Sequence, residues 1–315
     1  MKSFVVASVA LLAVVAVVGP SSGEAASGPA SERILFWTKG ADGKGHIKTM
    51  APDGSARRTV PIPDGATEVR LSPDGRSILF TTRIEDDVPE VTETGWRLFT
   101  ARSDGSQVRE IAEGYNASWS PSGGEIIYTR YNAATDDDIW VMNSDGTDAR
   151  ALFTGPQWEF LPEWSPDGKT IAFLSASKGA PAAGSNWNIY LMDADGSDVR
   201  ELTEFPDPLI SEQGTWANGL EWSPDSKKLA YSSFNFQEES IDIFIVRVDG
   251  SGTRRVTRGP GAEWDPVWSP DGRRLLFAGD KDGDYDIYSM RLSDRKVRKL
   301  TNNSWNDTPY DWVAP

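Results

Sequence analysis

The chain has one histidine, His46, and no cysteine. Those two facts rule out a zinc centre built from histidine and thiolate ligands, and any disulfide. His46 stands in the segment HIKTMAPDG, which aligns with DIWVMNSDG further on, and it falls on the position of Asp138, Asn188, Asp242 and Asp286. A position that is polar in each aligned copy reads as a hydrogen-bonding site of the scaffold before it reads as a general base. The literal Gly-x-Ser-x-Gly at residues 19–23 lies in an apolar leader with no strand before it and no helix after it, so it is a chance match to a nucleophile elbow. A serine peptidase would also need a hydrolase domain, and the repeats described below leave no residues for one. Paired carboxylates could serve a glycosidase or a lyase, but nothing in the sequence singles out a pair.

Two carboxylate patterns are sharper. Asp280, Asp282, Asp284 and Asp286 alternate around a glycine, a spacing at which several carboxylates can converge on one hard cation such as calcium. The loop falls short of a full twelve-residue calcium loop and has no distal glutamate, and Asp286 is also a repeat position. The second pattern pairs aromatics with acids or amides: Tyr115 with Asn116, Trp158 with Glu159, Trp216 with Asn218, Trp264 with Asp265, and Trp305 with Asp307. Aromatic faces beside carboxylates suit a cationic peptide segment or a sugar ring. Repeated aromatics also pack between neighbouring elements, so the adjacent acids are what make these pairs a candidate ligand site.

The first four pairs each precede a recurrent phrase, and the fifth precedes the C-terminal strand. The phrase runs LSPDG from Leu71, WSPSG from Trp119, WSPDG from Trp164, WSPDS from Trp222 and WSPDG from Trp268. The marker prolines Pro73, Pro121, Pro166, Pro224, Pro270 and Pro315 are spaced by 48, 45, 58, 46 and 45 residues. A period in the forties is the length of a four-stranded propeller blade. After each phrase comes an apolar run (SILFTTR, EIIYTR, TIAFLSA, KLAYSSF, RLLFAG), then a second run closing mostly on Asp-Gly, then a short strand such as VREIA or VRELT. Asp-Gly is a hairpin turn, so each unit reads as four antiparallel strands. The two ends complement each other. RILFWTK, HIKTMAPDG and ARRTV read as second, third and fourth strands without a first, and TPYDWVAP supplies a first strand, although Trp312 precedes its proline by three residues instead of two. The expected fold is all-β: a six-bladed propeller over residues 31–315, closed by Tyr310–Pro315 lying beside Arg33–Thr38. Closure of this kind removes an exposed sheet edge. The aromatic–acid pairs would then ring the channel mouth on one face. Insertions at residues 83–95 and 203–218 add long loops, which on rigid scaffolds often carry binding.

The W-S-P-D-G, D-I-Y/W-V-M-x-x-D-G and R-x-L-T strands together resemble the repeats of TolB-type propellers, over roughly residues 31–315. The same blades resemble the propellers of prolyl oligopeptidase and dipeptidyl peptidase families, so the blade names a fold better than a function. TolB-type proteins have a small α/β domain ahead of the propeller, and here the first blade is read within about ten residues of the leader. The resemblance implies a propeller that binds partners on one face.

The N-terminus has Lys2, an apolar run from Phe4 to Val18 and a small-residue stretch up to Ala30. That is the form of a secretory signal peptide, shorter than the ~20 apolar residues of a membrane span, and no cysteine follows it to carry a lipid. The chain is therefore expected to be periplasmic or secreted, without a membrane span after cleavage. Its net charge is −15 over 315 residues, which disfavours nucleic acid and anionic membrane surfaces and leaves cationic partners open. The reading is a monomeric, non-catalytic cell-envelope propeller that binds a protein or peptide at the channel mouth. The alternative is a carbohydrate-binding or carbohydrate-active propeller using the Trp and acid ring.

Overall fold

The computed structural model describes residues 32–83, 95–132, 136–176, 187–203, 218–235, 240–258, 261–281 and 283–313. The leader therefore lies outside the described residues, as does most of the two long insertions. The described residues form twenty-four strands in six four-stranded antiparallel sheets.

Blade 1 combines β1 (Arg33–Lys39), β2 (Gly45–Met50) and β3 (Arg58–Thr59) with the last strand, β24. Blade 2 holds β4 (Thr67–Leu71), β5 (Ser77–Arg83), β6 (Trp96–Arg102) and β7 (Arg109–Glu113). Blade 3 holds β8 (Tyr115–Trp119), β9 (Glu125–Asn132), β10 (Asp136–Asn143) and β11 (Arg150–Phe153). Blade 4 holds β12 (Glu159–Trp164), β13 (Thr170–Ala176), β14 (Trp187–Asp193) and β15 (Arg200–Glu201). Blade 5 holds β16 (Asn218–Trp222), β17 (Lys228–Asn235), β18 (Ser240–Arg247) and β19 (Thr253–Arg255). Blade 6 holds β20 (Glu263–Trp268), β21 (Arg274–Gly279), β22 (Asp286–Arg291) and β23 (Val297–Lys299).

The closing strand β24 spans Asp307–Val313 and pairs antiparallel with β1, from Arg33 opposite Val313 to Thr38 opposite Asp307. Closure thus begins three residues earlier than the expected Tyr310. Trp312 adds a side-chain tie, its indole N–H donating to Glu32 at 3.0 Å.

The repeated phrases explain the blades locally. In the Ser-Pro-Asp-Gly turns the serine hydroxyl bonds the aspartate two residues on, at 2.6 Å for Ser72, 2.7 Å for Ser165 and 2.6 Å for Ser223 and Ser269. The same hydroxyl accepts the backbone N–H five residues on, as from Ser77 to Ser72 at 2.9 Å, which closes the turn. The threonine of R-x-L-T accepts a backbone N–H from the third strand: Ile189 to Thr203, Ile243 to Thr257 and Ile287 to Thr301, at 2.8–2.9 Å.

Every second strand places one aromatic ring in the core. Phe36, Phe80, Tyr128, Phe173, Tyr231 and Phe277 are all buried. Four of them stack on the aromatic opposite them on the third strand, with centroids 5.4–5.7 Å apart. Burying one such ring stabilises by roughly 2–3 kcal/mol. The six hydrophobic clusters each span a blade junction, so the core is a ring of interfaces that runs through all six blades. The outermost strands are short and exposed, which limits edge-to-edge pairing.

Strand direction sets two faces. Within an antiparallel blade the Pro-Asp-Gly turns and the Asp-Gly hairpins fall on one face. The links between blades and the loops from second to third strand fall on the other, which is the face from which every innermost strand enters.

Candidate functional site

The innermost strands β4, β8, β12, β16, β20 and β24 surround a central cavity of about 410 Å³. All six carry a bulge in their pairing with the second strand, and in the first five the bulge includes a left-handed residue. The bulge residue adopts a left-handed backbone: Glu68 (φ 52°), Asn116 (48°), Leu161 (53°), Gly219 (64°) and Asp265 (50°). In β24 the same position, three before the tryptophan, is Pro309, whose ring cannot adopt positive φ. A bulge re-aims side chains, and here this position lines the cavity in all six blades and the one two residues later in four of them, as Arg70, Glu163, Glu221 and Val267. The cavity lining therefore includes Glu68, Asp265, Arg70, Glu163 and Glu221. Asp311 stands behind them on β24, accepting the Leu71 N–H at 3.1 Å.

Four carboxylates thus share the cavity with one guanidinium, and the charge of a fifth, Asp311, acts on it from behind. Arg70 bonds Glu163 Oε1 at 3.2 Å, across from blade 2 to blade 4, and also donates to the Tyr310 carbonyl. Glu68 is saturated: it accepts from Thr81 Oγ1 at 2.9 Å, from the Asn116 N–H at 2.7 Å and from Asn116 Nδ2 at 2.8 Å. Burial pushes Glu68, Glu163 and Asp311 above the usual carboxylate range, with Arg70 opposing it. Glu221 goes well above that range, because burial is compounded by the nearby Glu163 and Asp311 charges. Asp265 is pushed up to about 6, first by burial and then by Glu68. Both groups thus bind a proton more tightly than an exposed carboxyl does, and a cation placed beside them would favour its release.

The residues expected from sequence separate into distinct places. Asn116 and Asp265 line the cavity, each one residue beyond its half-buried aromatic, Tyr115 or Trp264. Glu159 and Asp307 are buried at the starts of β12 and β24, between blades. There Glu159 lies near Asp138 of blade 3, and Asp307 near Asp286 of blade 6. Glu263, in the matching position of β20, lies near Asp242 of blade 5. Burial, reinforced by these neighbouring acids, pushes Glu159 and Glu263 up to about 7 and raises Asp307. Trp158 is on the surface, its ring 6.1 Å from that of Trp187, and Trp305 is also exposed. Trp216 lies outside the described residues, and so does the side chain of Asn218.

The pairs do not share one ring because they sit at different distances from the tryptophan of each phrase. Alignment on that tryptophan shows the missed signal. The residue just before it is Arg70, Ser118, Glu163, Glu221, Val267 or Asp311 in the six blades, and four of these six are charged.

At the expected calcium hairpin, Asp282 lies outside the described residues. Asp280 accepts the Ala262 N–H at 2.8 Å, and Asp286 is buried against Lys299 Nζ at 2.5 Å and Thr301 Oγ1 at 3.0 Å. Among the described residues no three ligating side chains converge on a metal position. His46 sits on β2 opposite Thr38, with Nε2 at 3.1 Å from Asp42 and Nδ1 at 3.7 Å from Asp64.

Comparison with known proteins agrees with this architecture. Residues 180–314 match the model of the TolB beta propeller domain. An uncharacterised peptidase, YuxL, of Bacillus subtilis is 23% identical over 233 residues, covering 71% of this chain and 32% of its own. The Tol-Pal system protein TolB of Ruthia magnifica is 30% identical over 120 residues, covering 37% of this chain and 26% of its own. The chain spans between a quarter and under half of the length of the curated relatives it matches. The crystal structure of TolB from Acinetobacter baumannii superposes with a TM-score of 0.58 at 17% identity, over 83% of this chain and 66% of that one. The described residues thus form a six-bladed β-propeller whose residues 180–314 are similar to the TolB beta propeller domain.

Proposed function

We propose that the protein is an exported, non-catalytic propeller that captures a protein partner by taking a cationic segment of it into the channel mouth. One observation carries this reading: a cavity lined by four carboxylates, Glu68, Glu163, Glu221 and Asp265, and a single guanidinium, with Asp311 behind them. A lysine or arginine side chain entering there would replace the protons on Glu221 and Asp265 and pair with both. Arg70, already engaged by Glu163 and Tyr310, fixes the far wall instead of competing for the ligand. The leader expected at residues 1–30 and the TolB-like repeats support an extracytoplasmic site of action. Among the described residues no helix is long and apolar enough to cross a membrane.

The test is capture from an envelope extract on immobilised protein. Wild type should retain a partner that Glu221→Gln with Asp265→Asn releases, at an unchanged or higher melting temperature. Equal capture by both proteins would contradict the proposal. A carbohydrate reading draws on the exposed Trp158–Trp187 stack, with Phe160 edge-on to Trp187 at 4.6 Å, which could seat a sugar ring. A glycan array separates the two readings, because sugar binding lost on Trp158→Ala and kept in the double channel variant would favour the second.

A further inference from the structure

On the face opposite the channel mouth, blades 5 and 6 enclose a groove of about 690 Å³. Five cationic side chains line it: Lys228, Arg254, Arg273, Arg274 and Arg291. Among the described residues Arg291 pairs with Asp294 at 3.2 Å, and the other four make no ion pair. The carboxylate in the lining, Asp271, is tied into its own turn by Ser269 Oγ at 2.6 Å and the Arg273 N–H at 3.0 Å. Such a concentration of cations, with only the turn carboxylates Asp225 and Asp271 and the paired Asp294 to balance them, is unusual on a chain of net charge −15. It lies on the face away from the carboxylate-lined mouth.

The rest of the lining narrows the ligand. Ile245 and the indole of Trp268 form the buried floor of the groove and Leu292 its half-buried edge; Trp268 Nε1 has no hydrogen-bond partner, as is also true of the equivalent Trp119 and Trp164. A highly charged polymer such as nucleic acid or polyphosphate would meet the repulsion of the whole acidic molecule and gain little from apolar walls. A short segment carrying two or three carboxylates between apolar side chains fits both parts of the lining. Guanidinium forks bind carboxylates in bidentate geometry, and the aliphatic residues cover the hydrocarbon.

We propose that this groove between blades 5 and 6 is a second docking site, for an acidic–apolar peptide segment of a partner protein. The site is independent of the channel and would let one propeller hold a cationic segment on one face and an acidic one on the other.

The probe is a fluorescein-labelled peptide of alternating glutamate and leucine, with a glutamine–leucine peptide as comparator, followed by fluorescence anisotropy on the full chain. The glutamate peptide should bind about tenfold more tightly or better, and should weaken as salt is raised to about 0.5 M. Arg254→Gln with Arg273→Gln should lose that preference, the corresponding double lysine variant should keep only part of it because it retains the charge without the bidentate fork, and the melting temperature should not move. Glu221→Gln with Asp265→Asn should leave this binding unchanged, which separates the groove from the channel. Equal affinity for the two peptides would overturn the proposal, and so would undiminished binding by the double glutamine variant. Tighter binding of inorganic polyphosphate than of the glutamate peptide would overturn the choice of a peptide.

Discussion

Glu159 and Glu263 carry the clearest consequence of burial for pH. Each is held near 7 in the folded chain against an ordinary value of 4.5, beside a second buried acid, Asp138 or Asp242. A carboxyl raised in this way contributes fully below its unfolded value, and that contribution is lost as pH rises through about 7. The turn aspartates Asp74, Asp167, Asp225 and Asp271 act in the opposite sense. Their serine hydroxyls and backbone N–H groups hold them below 3.8, so their contribution is present above that value and fades in stronger acid. Thermal stability should therefore peak near pH 4–5 and fall toward pH 8. Glu159→Gln should raise stability at pH 8 by roughly 1–2 kcal/mol and change little at pH 5. Calorimetric scans of both proteins at the two pH values check this, and a variant no more stable at pH 8 would count against the buried-acid account.

At the scale of the strand, the bulges of the innermost strands bring carboxylates to the propeller channel. Gly219 is the tightest of them. A Cβ there would lie 2.8 Å from the Asp265 Cα, and the residue holds φ of +64°. Gly219→Ala should cost about 2–4 kcal/mol, because it forces β16 and β20 apart and strains the backbone. The effect is read as a drop in denaturation midpoint, and a midpoint within error of wild type would show that the two strands can separate freely. The strands themselves were legible in sequence: alternating apolar runs between Ser-Pro-Asp-Gly and Asp-Gly turns foretold their number and order. The bulges were not. Asn116 and Asp265 are residue types that tolerate a left-handed backbone, but Leu161 is not, and all three stand in runs that read as unbroken strands. For that reason the adjacent-pair pattern found Asn116 and Asp265 but placed Trp158, Glu159, Trp305 and Asp307 in a ring they do not join, and overlooked Arg70, Glu163 and Glu221.

For the whole molecule, complementary ends were the feature that named the architecture, because a chain with three strands of a blade at one end and one at the other can satisfy both only by closing. Trp312 lies in the cluster joining blades 6 and 1, and Tyr310 packs on the one joining blades 1 and 2, so β24 serves two junctions at once. Trp312→Ala should cost about 3–5 kcal/mol, and deletion from Asp307 onward should lower the melting temperature of the entire ring in one transition. Fraying of a single blade at an otherwise unchanged melting temperature would contradict that closure. The ring in turn brings carboxylates from blades 2, 4, 5 and 6 within reach of one ligand, which no single blade could do. If a cationic segment binds there by displacing protons from Glu221 and Asp265, binding must release protons near pH 6 and tighten as pH rises from about 5 to 7. Titration calorimetry with a lysine-bearing peptide, run at pH 6 in two buffers of different ionisation enthalpy, measures that release directly. The account predicts a buffer-dependent enthalpy that corresponds to proton release and disappears in Glu221→Gln with Asp265→Asn; an enthalpy independent of buffer, or one equally buffer-dependent in the double variant, would contradict it.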